Sequence, residues 1–496
     1  MSMPMQGRQW IDGQWVEGQG QEWERRSPST GEPVWSGRVA STGQVASAIG
    51  AARAAFPAWA DTELEERIEV CKNFAEVLRQ RGEELAVLIA QENGKPLWEA
   101  RTEVGASTAK VANSIDSIHE RRWTTTDQLG DFRAVTRYIP HGVMFVIGPF
   151  NFPSHVPGGH IIPALLAGNT LVFKPSEFVP AVGQWLCEAW DAVGLPAGVL
   201  NLVQGSGEVG KVAVESAEVD GVLFTGSRRV GTLLHEQMAG QPHRVLALEM
   251  GGNNPLVVHN TSDIEGAAIT TILSAFITSG QRCTCSRRLI VTGDNYEPLV
   301  EKLVEFIPQI QVGLSLDEPQ PFMGPLIHEA AATQLLEAQE SYRSAGSKVL
   351  VEMQKLDGCA SLLTPSLVEI GEKQEVDDCE FFGPLLTVRK AADLDEAIAV
   401  ASDTEYGLSA GFFGDEAADF QHFVRRVRAG VVNWNRQTTG ASGRLPFGGA
   451  GMSGNHHPSG FHAADYCSFP MASLESETLS ESKKATPGLG FTRNAN

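Results

Sequence analysis

Three side chains with the chemistry of an acyl-transfer centre lie within a stretch of the chain rich in glycine and proline. The first is Cys283, in Ser279-Gly280-Gln281-Arg282-Cys283-Thr284-Cys285. A helical run over 264–277 precedes it, and a short apolar run, Leu289-Ile290-Val291, follows. A cysteine on a turn between two regular elements is both reachable and fixed, which suits a thiolate nucleophile. Arg282 beside it adds positive charge and is expected to favour the thiolate. The alternative is a buried thiol acting as a small hydrophobe. The second is Glu249, after the apolar run Val245-Leu-Ala-Leu248 and before Gly251-Gly252. A partly desolvated carboxylate there has its pKa raised toward general-base duty, unless it caps a helix or forms an ion pair. The third is Asn151, in Pro149-Phe150-Asn151-Phe152-Pro153. Two prolines stiffen the backbone around an amide that can donate to an oxyanion, or they simply shape a turn.

A second group of motifs fits a dinucleotide. Lys174-Pro175-Ser176-Glu177 follows the apolar run Thr170–Phe173, where a carboxylate can accept from ribose hydroxyls or start a helix. Gly205-Ser-Gly-Glu-Val-Gly210 fits the glycine-rich pyrophosphate turn, and Phe224-Thr-Gly-Ser-Arg-Arg-Val-Gly231 sits in the same strand-to-helix context one unit later. Two turns of one sheet do not both hold one pyrophosphate, so one of them is only a tight turn. Glu380-Phe381-Phe382-Gly383-Pro384 and Pro446-Phe447-Gly448-Gly449 are further rigid turns.

The elements that position these residues alternate between strand and helix. Apolar strands are expected at 143–147, 170–173, 199–203, 221–224 and 245–248. Helices are expected at 181–193, from 208, and up to about 238. Continuous apolar strands separated by helices predict a parallel sheet covered on both faces, which binds ligands at the carboxyl ends of its strands. A second α/β series follows Gly252, with strands near 255–258, 289–291, 385–388, 408–413 and 431–433, and helices over 329–345 and 394–402. The start alternates around Asp12-Gly13 and predicts a hairpin. The pattern is helical over 45–90 and 99–118, and 132–139 reads as a strand.

At 496 residues, two or three domains are expected. Lys plus Arg is 39 and Asp plus Glu is 60, a net charge of −21, which argues against nucleic acid or an anionic membrane as partner. An anionic substrate would need local Arg or Lys to receive it. The seven cysteines are scattered without metal-knuckle spacing. Neither a secretory signal nor a run of about 20 apolar residues is expected to be present, so a cytoplasmic protein with reduced thiols and no bound metal is anticipated.

In this order, the Pro149–Pro153, Lys174–Glu177, Phe224–Gly231, Glu249–Gly252, Gly280–Cys283, Glu380–Pro384 and Pro446–Gly449 motifs resemble the NAD(P)-dependent aldehyde dehydrogenase superfamily over nearly the whole chain. The resemblance implies an α/β fold with two doubly wound parallel-sheet domains and a β oligomerisation arm. It implies a cofactor domain of residues 1–121 and 142–251, a catalytic domain of 252–451, an arm of 122–141 and 462–480, and a mobile tail of 481–496. It assigns Cys283 as nucleophile, Asn151 with the Cys283 N–H as oxyanion donors, and Glu249 as the base that activates water. It settles the two glycine turns, giving the pyrophosphate to Phe224–Gly231. Lys174 and Glu177 would hold the adenosine ribose, Glu380 the nicotinamide ribose, Ser227 the pyrophosphate, and Val230 would pack on adenine. Pro149, Phe150, Ser176, Gly226, Arg228, Gly231 and Phe382 complete the implied cofactor contacts. Glu177 on the ribose hydroxyls favours NAD over NADP. A homodimer or homotetramer is implied, through a strand like 132–139 pairing with one like 464–469.

Within the superfamily, the stretches 160–168, 246–255, 280–285, 454–458 and 464–467 resemble members that act on a semialdehyde bearing two carboxylates. Arg282, Arg436, Arg444, His456 and His457 are the candidates to receive them, Arg being preferred for its bidentate fork. The common form of the family has Leu at Met250 and lacks the double Asn253-Asn254. Three alternatives are another acidic or aromatic aldehyde as substrate, a cofactor-independent cysteine acyl hydrolase, and a non-catalytic protein that kept the fold.

Overall fold

Strand register decides where the candidate residues meet. The computed structural model of the protein describes residues 4–371, 374–477 and 487–488. One seven-stranded sheet runs in the order Val245–Glu249, Gly221–Thr225, Val143–Ile147, Thr170–Lys174, Leu200–Leu202, Gln9–Ile11, Gln14–Val16. The first five strands are parallel and the N-terminal hairpin adds antiparallel at the edge. Ile147 pairs with Lys174, and Thr225 with Glu249. The Pro149–Pro153 loop, Lys174, the Ser227 turn and Glu249 therefore all leave the same carboxyl edge, where a parallel sheet opens to ligands.

These strands are apolar because both faces are covered. Helices Leu64–Gln80, Leu97–Arg121, His155–Ala167 and Pro180–Ala192 bury their apolar sides on one face, around Phe74, Leu165, Phe173 and Trp190. Helices Thr42–Ala60, Gly207–Glu215 and Arg228–Met238 cover the other, around Val45, Phe145 and Phe224. Gly168, at φ 95°, ends helix His155–Ala167 in the left-handed region, so the chain reverses at once into Thr170–Lys174.

The second seven-stranded sheet runs Lys348–Val351, Ser366–Glu369, Leu385–Ala391, Ser286–Thr292, Asn254–Val258, Ser409–Phe413, Val431–Trp434. All neighbours are parallel except Lys348–Val351 against Ser366–Glu369. Only four residues, 250–253, join Glu249 at the carboxyl edge of the first sheet to Asn254 at the amino edge of the second. Cys283 and Glu380 precede strands Ser286–Thr292 and Leu385–Ala391, so their loops lie at that same amino edge. The two sheets thus meet at a seam that gathers Cys283, Glu249 and Asn151.

Some elements differ from the sequence expectation. The helical stretch 45–90 divides into Thr42–Ala60, Leu64–Gln80 and Gly82–Asn93, with breaks at residues 61–63 and at Arg81. Strands Met5–Gly7, Glu22–Arg26 and Pro33–Arg38 form a further small sheet that their polar composition hides. Strand Phe132–Pro140 pairs within the chain with Ser468–Glu475, which shares only Ser468 and Phe469 with the expected 464–469. Residues Ala463–Tyr466 form a short helix instead, drawn inward by Tyr466, which is buried against His160. Thr125–Leu129 completes this three-stranded sheet. The expected tail, 481–496, lies outside the described residues apart from 487–488. Among the described residues, no helix is long and apolar enough to cross a membrane.

Candidate active site

The Cys283 loop is built from unusual backbone. Helix Ile264–Phe276 is followed by Thr278 (φ 56°), Ser279 (φ 52°) and Gly280 (φ 70°), three consecutive left-handed residues. Gly is required at 280, because a Cβ there would overlap the Gly383 carbonyl. The two non-glycine residues are held by side chains: Thr278 Oγ1 bonds Glu99, and Ser279 Oγ donates to Gly324 O at 2.6 Å. Strained φ/ψ of this kind persists only where the surroundings over-determine it. Asn254 completes the frame. Its Nδ2 donates to Cys283 O (2.7 Å) and Cys285 O (2.8 Å), while its Oδ1 accepts from Ser409 N (3.0 Å).

Asn151 is buried, and its Nδ2 donates to Gln281 O at 2.9 Å, two residues before the nucleophile. An amide nitrogen carries two hydrogens, so one remains to serve an oxyanion. Among the described residues the Cys283 N–H has no acceptor, which leaves it available for the same purpose. The Asn151 backbone is fixed from below, where Lys95 Nζ donates to Asn151 O (2.6 Å) and to Glu103 Oε2 (2.6 Å) and lies 3.9 Å from the Phe152 ring centroid. This ion pair is buried, with side-chain exposures of 1% and 0%.

Burial pushes the Cys283 thiol up to about 12, with Glu380 and Glu249 adding to the effect and Arg287 opposing it. The resting sulfur is therefore a thiol. The expected help from Arg282 is corrected here: its guanidinium turns away to Glu99 Oε1 at 2.6 Å, donates to Thr278 Oγ1 at 2.7 Å and stacks over Phe152. Neighbours in sequence need not point the same way. Glu249 is buried; Oε1 accepts from Ser459 N at 3.1 Å and, among the described residues, Oε2 has no partner. Burial raises its pKa well above the ordinary carboxylate range. A carboxyl with one unoccupied oxygen, raised toward neutrality, is suited to take a proton from water.

Of the residues expected at a cofactor, Glu380 and Phe382 lie at the amino edge of the second sheet and the others along the carboxyl edge of the first. Lys174 is buried, with Nζ donating to Pro175 O (2.8 Å) and Gly205 O (2.7 Å) and lying 3.9 Å from Glu177 Oε2. Gly205 thus belongs to the lysine's cradle. Ser176 Oγ accepts from Phe178 N at 3.3 Å. In the other turn, Ser227 caps helix Arg228–Met238 by accepting from Val230 N, and Gly226 and Gly231 let the turn pack against Phe224 and Met250. Arg228 is engaged with Glu405 at 2.6 Å and lies over Tyr406. Glu380 Oε1 accepts from Gly252 N at 3.1 Å, and Phe150 packs edge-on to Phe382. Pro149 opens the loop that carries Phe150. Of the expected substrate residues, Arg282 is paired as described and Arg444 reaches Asp116 at 3.1 Å. Arg436, His456 and His457 are exposed.

Sequence reasoning missed Lys95, Glu99, Glu103 and Asn254 as supports of the site. One signal was present: helix Leu97–Arg121 carries Glu99, Glu103, Ser107, Lys110, Ser114 and Ser117 at steps of three and four, and all six are buried.

The aldehyde dehydrogenase family profile matches residues 15–469, and the chain belongs to that family. It is 52% identical over 480 residues to the N-succinylglutamate 5-semialdehyde dehydrogenase of Chromohalobacter salexigens, covering 97% of this chain and 98% of that one. It is 47% identical over 482 residues to the enzyme of the same name from Serratia proteamaculans, at 97% and 98% coverage. The fold matches an NAD-dependent aldehyde dehydrogenase from Sinorhizobium meliloti, with a TM-score of 0.91, 30% identity and coverage of 98% and 97%. It also matches a Thermus 1-pyrroline-5-carboxylate dehydrogenase with bound NAD, with a TM-score of 0.90, 28% identity and coverage of 95% and 93%. The chain is an oxidoreductase that acts on a small aldehyde.

Proposed function

We propose that the protein oxidises N-succinyl-L-glutamate 5-semialdehyde to N-succinyl-L-glutamate with NAD, a step of arginine degradation in the cytoplasm. The observation that carries the chemistry is the tether between Asn151 Nδ2 and Gln281 O, which ties the oxyanion donor to the nucleophile's own loop. The near full-length likeness to two enzymes named for this semialdehyde supports the substrate.

Cys283 loses its proton and its sulfur attacks the aldehyde carbon. The oxygen becomes an oxyanion held by the Asn151 amide and the Cys283 N–H. Held by the residues named below, NAD would supply the hydride acceptor for this carbon, which would stay on the Cys283 sulfur as a thioester. Glu249 takes a proton from water, the hydroxide adds to the thioester, and the carboxylate departs as the thiol is restored. The net change is aldehyde plus water plus NAD to carboxylate plus NADH plus protons.

The residues present fit a dinucleotide. Gly226 and Gly231 let the turn lie close on Phe224 and Met250 at a helix N-terminus, and Ser227 stands at its cap. Lys174 and Glu177 would hold the adenosine ribose, with Ser176 beside them. The Glu177 carboxylate disfavours a 2′-phosphate, which supports NAD. Glu380, Phe382, Pro149 and Phe150 would border the nicotinamide end, and Val230 the adenine. Residues 1–121 and 142–251 serve as the cofactor domain and 252–451 as the catalytic domain. Arg436, Arg444 and His456 are the loop candidates for the substrate carboxylates. Arg282 serves through Glu99 by fixing the loop. Residues 122–141 and 462–480 form an oligomerisation arm, a reading supported by its exposed Leu129, Phe469 and Leu474.

NADH formation with N-succinylglutamate 5-semialdehyde beside unsubstituted glutamate semialdehyde tests this reading. A clear preference in kcat/KM for the succinylated aldehyde is expected. Turnover of simple aldehydes alone would overturn the substrate.

A further inference from the structure

Lys110 is a buried cation with no counter-charge. It lies on the inward stripe of helix Leu97–Arg121 and is 6% exposed. Among the described residues its ammonium has neither a hydrogen-bond nor an ion-pair partner, whereas the acidic groups of its helix pair with other cations, although Glu99 does so through Oε1 alone and its Oε2 is buried without a partner. Glu99 takes Arg282, Glu103 takes Lys95 and the N–H groups of Ser154 and His155, and Asp116 takes Arg444. The side chains facing Lys110 from helix His155–Ala167 supply no anion. His155 and His160 are both held down at about 3 by burial and by the Lys110 charge, so both rings are neutral. One of them is itself unsatisfied, because His155 Nδ1 is buried without a partner. Gly159 packs opposite, where even a Cβ would stand 3.8 Å from the ammonium.

A protein gains nothing in stability by burying an unpaired ammonium. Desolvation costs several kcal/mol, and here it lowers the lysine to about 8, still charged at neutral pH. The position of Lys110 gives it a use. The stripe starts at Glu99, against the nucleophile loop, and passes Ser107, whose hydroxyl bonds Ser154 Oγ at 2.9 Å in the loop after Asn151. It ends at Ser117, bonded to Phe461 O, with Arg444 fastened to the same helix through Asp116. Along the helix, Lys110 therefore lies between Ser107, bonded to the loop after Asn151, and Asp116 and Ser117, bonded to Arg444 and Phe461. It is seven residues beyond Glu103, roughly 10 Å along the helix axis, and long side chains lean back toward the N-terminus.

From this juxtaposition of an unpartnered ammonium, Gly159 packed opposite it and the Ser107–Ser154 contact in the loop after Asn151, we infer that Lys110 is a specificity-determining residue that receives a carboxylate of the substrate remote from its aldehyde carbon. This rests on the acidic-aldehyde reading above. The exposed arginines of the loop then act at the entrance, and Lys110 acts inside.

The test is Lys110→Met, which keeps the length and removes the charge, with Lys110→Gln as a second variant. NADH formation is measured with N-succinylglutamate 5-semialdehyde and with hexanal. The ratio of kcat/KM for the acidic over the neutral aldehyde is expected to fall by about thirtyfold or more, mainly through KM, as loss of a desolvated charge-assisted contact predicts. A ratio held within about threefold overturns the inference. In parallel, N-succinylglutamate and glutarate are used to inhibit hexanal oxidation. Weakening of that inhibition by about tenfold in both variants supports Lys110, and equal inhibition overturns it. If the wild-type protein oxidises hexanal and ignores the succinylated aldehyde, the substrate reading fails, and the inhibition arm still decides whether Lys110 binds a carboxylate.

Discussion

The Asn254 side-chain amide donates to the carbonyl of Cys283 at 2.7 Å and, from the same nitrogen, to that of Cys285 at 2.8 Å. One side chain at the amino edge of the second sheet thus sets the path of the chain on both sides of Thr284. Asn254→Leu removes both bonds and leaves two carbonyls and the Ser409 N–H without their partner. The expected outcome is a loss of about 2–4 kcal/mol in stability and a fall of about tenfold to a hundredfold in kcat, read by thermal unfolding and steady-state NADH formation.

If Glu249 is the base of the proposed reaction, it acts in hydrolysis and not in acylation. Glu249→Gln keeps the volume and removes the base, so acylation proceeds and hydrolysis stalls. The expected readout is a burst of NADH equal to the enzyme present, followed by slow turnover, with the thioester on Cys283 seen by mass spectrometry. The same variant tests the pH linkage. Because the folded pKa of Glu249 is raised, the native state binds the extra proton above the unfolded value near 4.3, and stability falls as pH climbs from there toward the folded pKa. Glu249→Gln should therefore lose stability less steeply than the wild type between pH 5 and 8, measured as Tm against pH. Parallel slopes in the two proteins would refute the linkage.

The buried Lys95–Glu103 pair holds the Asn151 carbonyl from beneath. Lys95→Met leaves Glu103 buried without its cation, and a cost of about 3–5 kcal/mol is expected. Replacing both, as Lys95→Met with Glu103→Leu, should recover part of that stability and leave kcat low, because Asn151 has still lost its anchor. Full recovery of kcat in the double variant would show that the pair serves stability alone.

Much of the seam could be read from residue order. Cys283, Glu249 and Asn151 stand out because each follows or precedes an apolar strand and is flanked by Gly or Pro, and strand ends in parallel sheets are where ligands sit. The supporting layer could not be read in this way. Glu99, Glu103 and Lys110 repeat at helical spacing, but a polar stripe on a helix is the same pattern whether it faces water or another helix. The direction is fixed only when helix His155–Ala167 packs against it. Arg282 was misjudged for a related reason: adjacency to Cys283 in the chain says nothing of the Glu99 carboxylate, 183 residues away in sequence, that takes its charge. The C-terminal strand shifted to Ser468–Glu475 because Tyr466 is held inward by His160, a pairing that no local pattern announces.

The sheet of Thr125–Leu129, Phe132–Pro140 and Ser468–Glu475 exposes apolar side chains that a lone chain has no reason to display. Leu129, Phe469 and Leu474 are 61%, 57% and 64% exposed. Thr125–Leu129 and Ser468–Glu475 are both edge strands with one side unpaired, and such edges are templates for another chain. If the arm joins copies of the protein, the wild type should sediment at two or four times the 53.4 kDa chain mass. Phe469→Asp with Leu474→Asp places two charges on that surface and should drive the assembly toward the single chain, without the loss of helical content that a core defect would bring. Both are read in one sedimentation run paired with circular dichroism. A double variant that keeps the wild-type mass would remove the arm from the interface and leave its apolar face unexplained.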